Sequence, residues 1–263
     1  MQRRIGDVII DSVAAEAPKF TAPMLLVHGL WCTAAVWRRF MGYLAHRGWM
    51  THALTLRGHA ADSDRAAIGR VRFADYLDDV RRVVAACDAP PVVVGHDIGA
   101  LLALHCRPQE VRAAVAVAPL VPDGSAPGLR FLGLGARFAM WRTRALPAPT
   151  GHVAVDYFGP GAPGGTTPDS GCVAGELMRN EIPAPAASGV PTLIIGGTRD
   201  VIAPPDAVRR LAQPVGATLR LADGASHAMP WEPGWEQRVS EVHRWVVQAL
   251  GENLLLPPED EDG

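Results

Sequence analysis

Four short segments carry the residues of this chain best suited to chemistry. In Val92-Val93-Val94-Gly95-His96-Asp97-Ile98-Gly99-Ala100 an apolar run ends in one carboxylate flanked by small residues. A buried strand that turns at once into a helix has this pattern, and the turn lifts its central side chain, here Asp97, clear of the sheet. Such a turn is strained and tightly packed, so it needs the flanking glycines. It also aims the Ile98 N–H and the positive end of the next helix at one spot. The run Leu25-Leu26-Val27-His28-Gly29-Leu30-Trp31 ends in a loop that offers a second oxyanion donor, the Leu30 N–H. Asp200 closes Gly196-Gly197-Thr198-Arg199-Asp200 after a late apolar run, and His227 lies in Gly224-Ala225-Ser226-His227-Ala228. The chain order is nucleophile, acid, histidine.

An aspartate nucleophile narrows the chemistry. Attack on an ester carbonyl would give an anhydride that readily reverts. Attack on a saturated carbon gives a plain alkyl ester, which His227, oriented by Asp200, can hydrolyse by activating water. Asp97 therefore favours an epoxide or an alkyl halide.

The elements that must position these groups follow from apolar periodicity. Strands are expected at Ile5 to Val13, Met24 to His28, Trp49 to Leu56, Val92 to Val94, Val111 to Val117, Thr192 to Ile195 and Thr218 to Leu221. Helices are expected at Ala34 to Arg47, Phe73 to Cys87, Ala100 to Cys106 and Trp235 to Leu250. Their alternation implies an α/β fold with a mostly parallel central sheet and helices on both faces. Alternation fails from about 123 to 190, which is rich in Gly and Pro and shows no obvious strand; one apolar helix is expected at Leu129 to Trp141 and part of another at Glu176 to Glu181. The expected organisation is a core of 1–122 and 191–250, a cap or lid at 123–190, and an acidic flexible tail at 251–263.

In order and spacing, the His28-Gly29 loop, the Arg57-Gly58-His59 loop, the Asp97 turn, the Asp200 loop and the His227 loop resemble the α/β-hydrolases across nearly the whole chain outside the cap. Gly95-His96-Asp97-Ile98-Gly99 looks like the epoxide hydrolase and haloalkane dehalogenase branch; the rest is at least as similar to serine esterases. The resemblance implies a hydrolase with Asp97, Asp200 and His227 as catalytic residues and the backbone of Leu30 and Ile98 as oxyanion hole. Trp31 stands where epoxide hydrolases have proline, and Ile98 where haloalkane dehalogenases have tryptophan and fluoroacetate dehalogenases arginine. With no N–H side chain after Asp97 to bind a halide, an epoxide ranks first. Epoxide hydrolases protonate the leaving alkoxide from cap tyrosines, and Tyr157 is the one tyrosine in 123–190; with Trp31 it is expected to line the substrate pocket. Two further readings are a non-hydrolytic cyclase or lyase of secondary metabolism with Asp97 as base, and an esterase-like relative or a non-catalytic ligand-binding protein.

Bland roles stand beside these. Asp97 could be a structural carboxylate and Asp200 a helix N-cap before Pro204. His28 and His96 are expected to bond nearby backbone, Cys32 to pack, and Phe131, Phe138, Met140 and Trp141 to serve equally as pocket wall or core. His59, His105 and His152 show no partner in the sequence. A net charge of -2 gives no general attraction to nucleic acid or anionic membrane. Cys32, Cys87, Cys106 and Cys172 fit no zinc or Cys-x-x-Cys spacing and read as reduced thiols. No stretch reaches the ~18 apolar residues a membrane helix needs. The expectations are a cytoplasmic protein, a small-molecule substrate, no metal or cofactor, and a homodimer as an open option.

Overall fold

The computed structural model describes residues 1–64, 67–123, 129, 138 and 144–255. Ten strands and seven α-helices lie among them. The strands are β1 (Gln2–Ile5), β2 (Val8–Val13), β3 (Met24–Val27), β4 (Thr51–Thr55), β5 (Val92–His96), β6 (Ala113–Val117), β7 (Ala145–Leu146), β8 (Asp169–Ser170), β9 (Thr192–Gly197) and β10 (Thr218–Ala222). The helices are α1 (Arg38–His46), α2 (Phe73–Ala85), α3 (Ile98–Leu104), α4 (Gly151–Phe158), α5 (Gly171–Met178), α6 (Pro205–Val215) and α7 (Trp235–Leu250).

The central sheet runs β1-β2-β4-β3-β5-β6-β9-β10. From β4 to β10 every neighbouring pair is parallel, so the C-terminal ends of these strands share one edge. The apolar runs of β3, β5, β6 and β9 are buried residue by residue, as covering on both faces requires. Away from this centre, β2 is antiparallel to β4 and alternates buried with half-buried residues, as an outer strand does. The expected strand at Ile5 to Val13 is instead two, because Gly6 adopts φ +57° and folds β1 back on β2.

Helix α2 buries Phe73, Tyr76, Val80, Val83 and Val84, the stripe expected from its spacing. It also buries Asp79, which accepts two hydrogen bonds from Arg57, at 2.6 and 2.7 Å. The expected helix from Ala34 begins as a 3-10 turn, Ala34–Trp37, before α1. Every residue of α3 is buried, so this helix is packed on all sides directly behind β5.

Between β6 and β9 the described chain adds no strand to the central sheet. Its two-residue strands β7 and β8 pair only with each other. The expected helix at Leu129 to Trp141 lies outside the described residues except for Leu129 and Phe138, as do Phe131, Met140 and Trp141. The first part of the expected tail is not free: Leu254 is buried and its carbonyl accepts the Thr21 N–H at 2.9 Å. The rest of that tail, 256–263, lies outside the described residues. Among the described residues no helix is long and apolar enough to cross a membrane.

Candidate active site

Asp97 sits between β5 and α3 with φ 57° and ψ −118°, a backbone conformation rarely open to a non-glycine residue. Close packing holds it there. A Cβ on Gly95 would collide with the backbone of Gly99, and a Cβ on Gly99 with the carbonyls of Val27 and His28. Strand, turn and helix can approach this closely only because both positions lack side chains.

The two oxygens of Asp97 have different surroundings. Oδ1 accepts the Leu30 N–H at 3.3 Å and the N–H of Ile98. Oδ2 faces Nε2 of His227 at 3.0 Å. Nδ1 of His227 meets Oδ2 of Asp200 at 2.9 Å. The other Asp200 oxygen accepts the Ile202 and Ala203 N–H groups at 2.9 and 2.8 Å, so the carboxylate is locked from both sides. That bonding makes the turn before α6, but the N-cap of that helix is Pro204 and no side chain caps it, so the capping role expected of Asp200 is not the one it plays. Asp97 is 1% exposed and His227 0% exposed, so both are buried.

Both His227 nitrogens face carboxylate oxygens, so an imidazolium can donate from each. Burial pulls its pKa down, but the Asp200 and Asp97 carboxylates outweigh that and hold it up at about 10. His96 behaves oppositely. Its Nε2 donates to the His227 carbonyl at 2.8 Å, while burial and then His227 push it down to about 4. His28 accepts the Leu56 N–H at Nε2, 3.1 Å away, so Nδ1 carries the proton and donates to the Gly29 carbonyl at 2.7 Å. Burial and then His59 lower it to about 3. His28 thus fixes the peptide plane that carries the Leu30 N–H, the structural role expected of it.

Trp31 and Tyr157 meet edge to face beside His227. Their ring centroids are 4.9 Å apart, and the Tyr157 ring is 5.4 Å from His227. Trp31 is spent structurally, since its indole N–H donates to the Leu146 carbonyl at 3.1 Å. Tyr157 is 2% exposed, yet its hydroxyl has no hydrogen-bond partner among the described residues. A buried phenol without a partner is costly. Burial, then the nearby carboxylates, raise its pKa well above the ordinary value, so it keeps its proton. The last turn of α4 places it.

A second buried cluster lies alongside. Asp169 of β8 accepts from Trp31 N (2.7 Å), His59 Nε2 (2.9 Å), Tyr76 Oη (3.0 Å) and its neighbour Ser170 N (2.6 Å). Nδ1 of His59 faces the Arg57 carbonyl at 3.1 Å, so both ring nitrogens again face acceptors. Burial lowers the His59 pKa, Asp169 more than restores it, and the net direction is upward. Cys32 is buried beside the oxyanion loop; burial, then Asp97 and Asp169, keep its thiol protonated.

The sequence model of the alpha/beta hydrolase family matches residues 24–242. This chain is an alpha/beta hydrolase. No curated protein sequence matches it. Among solved structures it is similar to a soluble variant of monoglyceride lipase from Saccharomyces cerevisiae, at 14% identity and TM-score 0.73 over 95% of each chain. It is also similar to a thermophilic esterase from Thermogutta terrifontis, at 16% identity and TM-score 0.69 over 95% of this chain and 100% of that one. A monoacylglycerol lipase from Paleococcus ferrophilus aligns at 18% identity and TM-score 0.68, over 91% and 99%. Likeness at these identities concerns the fold.

In this alpha/beta hydrolase the seven sequence-selected residues Leu30, Trp31, Asp97, Ile98, Tyr157, Asp200 and His227 all converge on one place. Sequence reasoning missed Asp169, which lies 138 residues from the backbone group it binds. It also left His59 without a partner. The Arg57-Gly58-His59 loop was a local signal for one half of that pair; nothing local marks the other.

Proposed function

We propose that Asp97 is the nucleophile of an alkyl-enzyme hydrolase and that the substrate is an epoxide. The observation that carries this reading is the bonding of Asp97. Its own Oδ1 fills the pair of backbone donors that a serine hydrolase would offer to a substrate carbonyl. Oδ2 is left to attack, and the oxygen already in the hole becomes the oxyanion when the ester is cleaved.

The protons follow from the resting charges. Oδ2 attacks an epoxide carbon and its C–O bond breaks. The alkoxide takes the Tyr157 proton, and the resting His227 imidazolium replaces it. Esterified Asp97 no longer carries charge, so His227, now neutral, faces only Asp200 and can accept a proton from water. The hydroxide adds to the Asp97 carboxyl carbon, and Leu30 and Ile98 hold the oxyanion. Collapse expels the diol oxygen, which takes the remaining water proton, and Asp97 and His227 return to their starting states. The second half is ester hydrolysis, the kind of reaction in the names of the lipase and esterase neighbours, performed on an ester the enzyme makes on itself.

The test is intact-protein mass spectrometry of His227→Gln with a panel of epoxides and alkyl halides. An adduct of substrate mass on Asp97 is expected, from epoxides first. Asp97→Asn should lower turnover by at least ~10,000-fold, with slow recovery if the amide deamidates. Tyr157→Phe should slow alkylation by ~100-fold and ester hydrolysis far less. In a single turnover in heavy-oxygen water, label should enter Asp97 and not the diol. Label in the first-turnover product would mean that water attacks the substrate directly, and the nucleophile reading would be wrong.

A further inference from the structure

The inserted segment between β6 and β9 holds Trp31 at three points. The Asp169 carboxylate accepts its backbone N–H at 2.7 Å, the Leu146 carbonyl its indole N–H at 3.1 Å, and the Thr167 N–H donates to its carbonyl at 2.9 Å. These bonds keep Trp31 at φ 61°, a left-handed conformation that a bulky residue seldom adopts unaided. Its neighbour Leu30 supplies an N–H to Asp97. Two peptide planes flank Leu30, and each has a buried anchor. His28 of the core holds the Gly29 carbonyl on one side; Asp169 of the inserted segment holds the Trp31 N–H on the other.

We infer that Asp169 is a positioning residue. It sets the Leu30-Trp31 peptide and so aims the Leu30 N–H at Asp97; the inserted segment completes the oxyanion hole as well as covering it. The chemistry of Asp169 suits this task. Four donors converge on it: two backbone N–H groups, the His59 Nε2–H and the Tyr76 hydroxyl. Only a carboxylate accepts from all four, whereas an amide of the same shape would turn an NH2 group toward a donor. Tyr76 and His59 belong to the core, so Asp169 also ties the inserted segment to the body while it grips Trp31.

The consequence for rates rests on the alkyl-enzyme reading, but the positioning itself does not, so the experiment has two arms. The first measures amide hydrogen exchange of Leu30 in wild-type protein, Asp169→Asn and Glu176→Gln. Glu176 of α5 bonds Arg72 Nε at 2.7 Å and Phe73 N at 2.8 Å, tying the same segment to α2 without touching Trp31. Asp169→Asn should speed Leu30 exchange by ~100-fold more than Glu176→Gln does at matched global stability. Equal exchange in the two variants would overturn the inference, whatever the chemistry. The second arm follows the Asp97 adduct in single turnovers with an epoxide. Asp169→Asn should slow ester hydrolysis by ~100-fold, near the effect of losing one oxyanion donor, and alkylation much less, so the ester accumulates. Glu176→Gln should show no such accumulation; if it accumulates as much, the role is structural. Absence of any adduct even in His227→Gln would refute the alkyl-enzyme reading and leave the exchange result to decide on Asp169.

Discussion

His227 stands between two carboxylates with neither nitrogen free, and that arrangement has a thermodynamic sign. Folded, it holds its proton up to about 10, against 6.5 for a free histidine. A group with a raised folded pKa contributes its full stabilisation below its unfolded pKa and loses it as pH climbs through the folded one. The window here runs from about 6.5 to about 10. The melting temperature of wild-type protein should therefore fall more steeply between pH 7 and 10 than that of His227→Gln. Parallel curves would mean that another group titrates. The same proton is the one we assign to reprotonating Tyr157 once the epoxide opens, so stability and the first half of the reaction draw on a single ionisation. Asp97, Asp200 and His227 were legible as residues because each follows an apolar run at a strand end. Asp169 was not, because its meaning comes from donors contributed by four places in the chain.

At the scale of elements, the strand–turn–helix unit of β5 and α3 sets the geometry. Gly99 approaches the carbonyls of Val27 and His28 so closely that any side chain must displace backbone, not merely a flexible neighbour. Gly99→Ala should cost ~3 kcal/mol, at the upper end for overpacking, because little around it can yield. Urea titration would measure it; a loss below ~1 kcal/mol would show that β3 and α3 slide apart easily. The apolar runs predict the central strands well because burial on both faces leaves little other choice. The final helix, Trp235–Leu250, agrees to the residue with its expected span. Reading failed where local chemistry outweighed periodicity. A glycine at φ +57° split the first strand, and β7 and β8 are too short to carry a pattern. Helix α4, which carries Tyr157, went unread among the surrounding Gly and Pro.

On the scale of the whole molecule, the family's sheet carries the site at the shared edge of its parallel strands, and Tyr157 and Asp169 of the segment between β6 and β9 pack beside it. The residues matched by the family model include both parts. Likeness to lipases and an esterase at 14–18% identity leaves the reaction to the site itself. Burial of the site has a kinetic side that Cys32 makes measurable. This thiol is buried at the end of the oxyanion loop, and burial followed by two carboxylates keeps it protonated. Cys87 and Cys172 are half-buried, so a variant lacking them and Cys106 leaves Cys32 as sole reporter. An aromatic disulfide reagent should label it slowly, at a rate that stops rising with reagent concentration once opening becomes limiting. Asp169→Asn should raise that plateau. Immediate labelling would mean that the site stands open in solution. The plateau is also a ceiling: no substrate, however reactive, can be turned over faster than the protein uncovers Asp97, so across a series of increasingly electrophilic epoxides the turnover rate should climb and then level off at the frequency reported by one cysteine.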